Sequence, residues 1–147
     1  MKKVISLFLL VMFDLLNLVA SNNSDTTTVE TKITLKTATG DIFGTLTTPE
    51  KFNKIPVALI IAGSGPTDRD GNNGIYINNA YKLLSVALLK NGIATLRYDK
   101  RAIAESREAI GTGEASLRFD DYVNDAKGWI QLLKQDKRFS NQVFNHI

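Results

Sequence analysis

The sequence predicts an α/β fold in which a β-hairpin precedes a β-α-β-α-β unit and the sheet is mostly parallel. Residues 29–47 alternate apolar and polar side chains around a glycine-containing turn, as half-exposed antiparallel strands do. Residues 57–62 form an unbroken apolar run bounded by turn residues, which is typical of a parallel strand buried on both faces. Two stretches with helical period then enclose another apolar strand, and such alternation implies parallel pairing through right-handed crossovers.

The composition is that of a globular protein with a mild positive charge. Its 147 residues suffice for one domain. Lysine and arginine total 18 against 15 acidic residues, a net charge of +3, and no basic stripe is interleaved with aromatics, so nucleic acid is not an expected partner. The absence of cysteine excludes disulfides, thiolate metal sites and a cysteine nucleophile. His146 is the single histidine, and we do not assign it as a base.

The first 20 residues have the pattern of a signal peptide. Lys2 and Lys3 precede an apolar centre at residues 4–13, and a Leu-Val-Ala sequence leads to a cleavage point before Ser21. The apolar run is shorter than the roughly 20 residues that cross a bilayer. We therefore expect export to the periplasm or beyond, with no stable membrane span after cleavage. A membrane anchor formed by an uncleaved signal is the alternative.

The elements of the domain follow a polar segment rich in serine, threonine and asparagine. This segment, residues 21–28, predicts a flexible lead-in, and residues 29–147 form the predicted domain. A turn at Thr39–Asp41 closes the hairpin, and Asn91-Gly92 ends the first helix because glycine accepts the left-handed conformation. The predicted strands are 29–36, 42–47, 57–62, 93–98 and 142–147, and the predicted helices are 78–90 and 119–135, separated by a polar loop at 99–114.

The second helix shows one apolar stripe along its length. Asp120 and Asp121 lie in its first turn, where carboxylates favour the helix dipole. The stripe consists of Phe119, Val123, Ala126, Ile130 and Leu133.

The stretch from Gly63 to Gly74 is the predicted site, because ligands of parallel sheets bind beyond the carboxyl ends of the strands. It matches neither the phosphate-binding pattern G-x-x-x-x-G-K-[ST] nor the dinucleotide pattern G-x-G-x-x-G. Asp68, Asp70 and Asn72 have the spacing of a calcium loop, but position twelve is Asn79 and not glutamate. We therefore assign no cofactor and no metal, and keep calcium or small-ligand binding as an alternative function.

The glycines of this stretch favour a loop whose backbone N–H groups could take part in catalysis. Gly63 and Gly65 let the main chain come close to a bound group. Backbone N–H groups left free in such a turn can stabilise a developing oxyanion.

Three stretches together resemble the N-terminal part of an α/β-hydrolase of the secreted esterase and serine-peptidase-like kind. They are residues 56–73 (PVALIIAGSGPTDRDGNN), 92–106 (GIATLRYDKRAIAES) and 118–140 (RFDDYVNDAKGWIQLLKQDKRFS). The resemblance implies a partial α/β-hydrolase domain over residues 29–147. It also implies hydrolysis of an ester, peptide or amide through an acyl-serine, with a small-molecule ester or peptide as substrate and no cofactor.

The resemblance assigns a role to the glycine loop. By position, Ala62-Gly63-Ser64 matches the family's His-Gly-x segment, whose last residue supplies one N–H of the oxyanion hole. Ser64 would donate its backbone N–H, while Gly63 and Gly65 shape the turn.

The chain departs from the family's pattern at two places. The stretch after the fourth strand is usually D-x-R-G-x-G-x-S, and here both glycines are replaced, by Ala102 and Ala104. If these positions have positive φ, each alanine adds strain of roughly 1 kcal/mol.

The second departure concerns the nucleophile. No G-x-S-x-G pentapeptide occurs in the sequence, so the nucleophile, the acid and the catalytic histidine would lie beyond Ile147. We expect the chain to be inactive alone, as an N-terminal fragment of an exported hydrolase. The alternatives are a non-catalytic exported binding module and a non-functional remnant.

Overall fold

The computed structural model describes residues 27–140. The predicted signal peptide, nearly all of the predicted lead-in, the predicted strand at 142–147 and His146 lie outside the described residues. The strands are β1 (Thr28–Thr37), β2 (Gly40–Pro49), β3 (Val57–Ile60) and β4 (Ala94–Tyr98), and the α-helices are α1 (Ala80–Lys90) and α2 (Phe119–Gln135). Over these residues, neither helix has the length and apolar content that crossing a membrane requires.

The four strands form one mixed sheet in the order β1-β2-β4-β3. β3 pairs parallel with β4, as predicted for two strands joined through a helix. β1 and β2 pair antiparallel, and so do β2 and β4. The α/β content is confirmed, but the prediction of a mostly parallel sheet is wrong for the described strands. The reason is that the second hairpin strand enters the sheet directly against β4 and runs opposite to it.

The hairpin turn is tighter than predicted. Thr37 pairs with Gly40, so Ala38 and Thr39 form a two-residue turn in place of Thr39–Asp41. Gly40 has φ 142°, and a Cβ there would lie 2.9 Å from the Cα of Ala109. Ala109 belongs to a 3-10 helix, Ala104–Ile110, which with a second one at Glu114–Ser116 occupies much of the predicted loop. The turn therefore needs glycine because another segment packs against its backbone.

The two α-helices lie on opposite faces of the sheet. Side chains alternate along β4, so Leu96 and Tyr98 face one way and Arg97 the other. Tyr98 packs on Trp129 of α2, with ring centroids 5.6 Å apart. On the other face, Glu30 of β1 binds both Arg97, at 2.7 Å, and Lys82 of α1, at 3.4 Å. The result is a three-layer arrangement of helix, sheet and helix.

The apolar core lies between the sheet and α2. The buried positions of α2 are Asp125, Trp129 and Leu133, which are spaced four residues apart on one face. The predicted stripe is wrong at its beginning, because Phe119 is 80% exposed. The buried hydrophobic cluster consists of Ile42, Leu46, Val57, Ala94, Leu96, Tyr98, Ala109, Trp129, Leu133 and Phe139.

The edge strand β3 is less enclosed than predicted. Val57 is fully buried, but Ala58, Leu59 and Ile60 are half-buried and Ile61 is 54% exposed. Beyond α2 the chain returns to this edge, where Phe139 forms a parallel bridge with Ile55 and the Ser140 N–H donates to the Ile55 carbonyl at 2.8 Å. Burial on both faces is therefore wrong for β3 in the described sheet.

Gly44 of β2 allows α2 to approach the sheet. A Cβ at this position would lie 3.1 Å from the Arg97 carbonyl oxygen and 3.3 Å from the Trp129 ring. Trp129 is fully buried there, so a methyl group fits only if its neighbours move by a few tenths of an ångström.

We expect Gly44→Ala to lower the free energy of unfolding by about 1–3 kcal/mol, because overpacking forces the backbone or Trp129 to move. Gly74→Ala is the matched control, since a Cβ at Gly74 meets nothing within 4 Å. Chemical denaturation of the three proteins measures the difference. Equal destabilisation by both changes would contradict the close packing of Trp129 on Gly44.

Candidate active site

A cavity of about 640 Å³ opens where β3 and β4 end and α2 begins. The loop after β3 and the loop after β4 meet at this edge, as their parallel pairing requires. Gly63, Ser64 and Gly65, which were predicted for the site, therefore line the cavity together with residues 100–103 of the loop after β4. The lining residues are Gly63, Ser64, Gly65, Pro66, Lys100, Arg101, Ala102, Ile103, Leu117, Phe119 and Tyr122.

The loop from Gly63 to Gly65 is held from one side by Lys100. The Lys100 ammonium donates to the Gly65 carbonyl at 3.0 Å and also to the Gly63 carbonyl. Gly65 has φ 91°, a conformation that favours glycine. A Cβ at Gly63 or Gly65 would meet nothing within 4 Å, so the loop borders open space.

The backbone N–H groups of this loop differ in their partners. The Gly63 N–H donates to the Tyr81 hydroxyl at 3.4 Å. Among the described residues, no group accepts a hydrogen bond from the N–H of Ser64 or from that of Gly65. Ser64 therefore has the free donor that an oxyanion hole needs, and its role in one stays a prediction.

The loop after β4 adopts the strained conformation expected of its sequence. Ala102 has φ 67° and Ala104 has φ 45°, both in the left-handed region. The three residues that match the D-x-R-G-x-G-x-S pattern around them, Asp99, Arg101 and Ser106, are buried. The Ser106 hydroxyl accepts the Phe43 N–H at 2.9 Å, which ties this loop to β2.

Asp99 joins the two loops. Its carboxylate accepts the Arg69 N–H at 2.7 Å and the Glu105 N–H at 3.3 Å, and lies 3.3 Å from the Arg69 guanidinium. Burial raises the pKa of Asp99, with the charge of Asp68 adding to the rise and the Arg69 contacts opposing it. Asp99 is outside the cavity lining, so its contacts position the loops.

Arg101 forms a buried ion pair with Asp125 of α2. Its Nε and Nη2 donate to the two carboxylate oxygens, each at 2.6 Å, a bidentate geometry that guanidinium favours. Nη1 donates to the Ala109 carbonyl at 3.0 Å and to the Thr39 hydroxyl. The Asp125 hydrogen bonds raise the pKa of Arg101. This cation is neutralised within the protein and leaves no free charge for a ligand.

Burial shifts the pKa values of two residues next to Asp99 in the sequence, Tyr98 and Lys100. Burial raises the pKa of Tyr98 to about 12, helped by the Asp125 charge, so its phenol stays protonated at neutral pH. Burial lowers the pKa of Lys100. Sequence reasoning missed both Lys100 and Asp125, because their partners lie on distant segments.

The calcium-like segment uses its own oxygens to hold the loop. The Asp68 carboxylate accepts the N–H groups of Asp70 and Asn72, at 2.9 and 2.8 Å. Asp70 binds the Arg97 Nε at 2.8 Å. The Asn72 side-chain oxygen accepts the N–H groups of Asn78 and Asn79, at 3.0 and 2.9 Å. Over residues 27–140 no group of three His, Cys, Asp or Glu side chains could hold a metal ion.

Comparison with known proteins relates part of the chain to an esterase. No protein-family model matches the chain. A stretch of 98 residues, 66% of the chain, is 30% identical to Esterase EstD of Thermotoga maritima. The chain spans 22% of the length of this curated relative. The similarity suggests an esterase-like, hydrolase-like relationship.

We expect Ala102→Gly and Ala104→Gly each to raise the free energy of unfolding by up to about 1 kcal/mol. The left-handed conformation costs alanine about 1–2 kcal/mol, and the greater chain entropy of glycine offsets part of the gain. Ala87→Gly in α1 is the matched control and should destabilise by about 1 kcal/mol. Thermal denaturation compares the signs, and destabilisation by all three changes would contradict strain in this loop.

We expect Arg101→Met or Asp125→Leu alone to cost about 3–5 kcal/mol, because each leaves a buried charge without its partner. The double variant should cost much less than the sum. The exposed pair Lys36–Asp41 serves as the control, with a coupling energy of about 0.2–1 kcal/mol in Lys36→Met and Asp41→Asn. Additive costs for Arg101 and Asp125 in denaturant unfolding would show that the pair is not coupled.

Proposed function

We propose that this chain is the N-terminal part of an exported α/β-hydrolase that cleaves acyl esters through an acyl-serine, with Ser64 supplying one half of the oxyanion hole. The observation that carries the proposal is the Ser64 N–H, which has no acceptor among residues 27–140 and lies in a loop that Lys100 holds at the wall of a cavity. The similarity to an esterase supports the reaction class. Export rests on the signal-like pattern of the first 20 residues.

The chemistry assigned to Ser64 is stabilisation of charge. Attack on an ester carbonyl turns its oxygen into an alkoxide, and an N–H fixed in advance stabilises that charge without reorganisation. A single donor of this kind contributes about 3–4 kcal/mol to the transition state. The 147 residues contain no G-x-S-x-G pentapeptide, and we propose that such a nucleophile and the N–H that follows it are supplied from outside them. We propose that the chain alone does not turn over esters.

The cavity walls favour an uncharged acyl group. Ile103, Leu117 and Phe119 supply apolar side chains to the lining. The two cations in the wall are engaged within the protein, Arg101 by Asp125 and Lys100 by backbone carbonyls. An apolar acyl chain is therefore a better match for the cavity than a carboxylate or phosphate group.

Ester recognition can be tested on the chain as it stands by NMR of ¹⁵N-labelled protein. We expect methyl butyrate to shift the Ser64 amide proton downfield and to perturb Ile103 and Phe119. Methyl butyl ether, which has similar size but no carbonyl oxygen, should perturb only the apolar wall. Identical effects of the two compounds on Ser64, or no perturbation of the cavity, would overturn the proposal.

A turnover assay complements the binding test. We expect hydrolysis of p-nitrophenyl butyrate by the purified chain to be no faster than by heat-denatured protein. Turnover above that rate that survives replacement of every serine by alanine would point to a different chemistry.

A further inference from the structure

The Gly63–Ser64 peptide unit connects Lys100 to the free N–H. The carbonyl of Gly63 and the N–H of Ser64 belong to one planar unit, and in a trans peptide they point in opposite directions. The described residues contain no cis peptide bond. A group that holds the Gly63 carbonyl therefore also fixes the direction of the Ser64 N–H.

We propose that Lys100 is the positioning residue of this N–H: its ammonium holds the Gly63–Ser64 peptide unit in one orientation and polarises it. This inference rests on the proposed function for the role of Ser64. Lys100 itself touches no reacting atom and acts through the backbone.

Little else in the described structure holds this peptide unit. Gly63 and Ser64 are exposed, and a Cβ added at either glycine that flanks Ser64 would meet nothing within 4 Å. Glycine tolerates both signs of φ, so a loop of this composition can reverse a peptide unit at low cost. The remaining restraints are the 3.4 Å contact of the Gly63 N–H with Tyr81 and the 2.9 Å bond from the Thr67 N–H to the Gly65 carbonyl. Neither of them contacts the Gly63 carbonyl.

The charge of Lys100 is directed at the loop. Within residues 27–140, no carboxylate lies within ion-pair distance of its ammonium. The adjacent Asp99 is engaged by Arg69, and the adjacent Arg101 by Asp125. A cation bonded to a carbonyl strengthens the hydrogen-bond donor at the other end of the same peptide unit, because the two bonds polarise one another. The Ser64 N–H should accordingly be a better donor to an oxyanion than an ordinary amide.

Carbon-detected NMR of the full chain tests this, because it observes the Gly63 carbonyl carbon and Ser64 nitrogen directly at high pH. We expect this correlation to move in a single transition as the pH is raised, at a pH below that of exposed lysines, since burial lowers the pKa of Lys100. The transition should disappear in Lys100→Met, with the resonance displaced from its position in the parent protein at pH 7. Lys100→Arg should lose the transition but retain the neutral-pH position, because a guanidinium can donate to two carbonyls.

Lys90→Met, which removes an exposed lysine from the end of α1, is the matched control and should behave as the parent protein. A Gly63–Ser64 correlation in Lys100→Met that coincides with that of the parent, or that still titrates, would overturn the proposal. If Lys100→Met does not fold, the parent titration and Lys100→Arg decide the question. The methyl butyrate experiment is independent: its failure with a normal titration here would remove the oxyanion role and leave the positioning role of Lys100.

Discussion

The guanidinium groups of Arg97 and Arg101 lie near the carboxyl end of β4, where little water reaches them. Each needs partners within the protein for its charge, and these partners hold the loops after β3 and β4 in place. Arg97 is almost fully buried and binds Asp70, Thr47 and Glu30. These three residues come from the glycine-rich segment, β2 and β1. Arg101 binds Asp125 and so ties α2 to the loop after β4. The edge of the sheet where the cavity opens is therefore defined by charge pairing as much as by apolar packing.

The sequence predicted the elements that depend on local patterns. The bounds of α2 at Phe119–Gln135 are confirmed, and those of β4 and the hairpin differ by a few residues. The parts that depend on distant partners were not predictable. Nothing local indicates that β2 runs against β4, or that Asp125, a charged residue, lies on the buried face of α2. The predicted apolar stripe of this helix was wrong at Phe119, which is exposed, and included Leu133, which is buried.

In the candidate site, too, the features that depend on local sequence were predictable and those that depend on distant partners were not. The site was predicted at the glycine loop after β3 because ligands of parallel sheets bind beyond the carboxyl ends of the strands. The left-handed conformation of Ala102 and Ala104 was anticipated because the D-x-R-G-x-G-x-S pattern has glycine at both positions. The brace from Lys100 to Gly63 and Gly65 spans more than 30 residues, so no spacing rule reveals it. Asp68 and Asn72 have the spacing of calcium ligands in the sequence. In the structure their side-chain oxygens accept hydrogen bonds from backbone N–H groups of their own segment.

The polar face of the sheet beneath α1 has a consequence for local opening. Ser85 of α1 is buried, as are Thr47, Thr95 and Arg97 on this face of the sheet. Within the described residues, the Thr95 hydroxyl has no hydrogen-bond partner. The buried apolar residue of α1 is Leu89, whereas α2 buries Trp129 and Leu133. We therefore expect α1 to detach from the sheet at a lower free-energy cost than α2. Transient excursions that leave the α2 core intact should begin at α1, next to the glycine loop that its Tyr81 contacts.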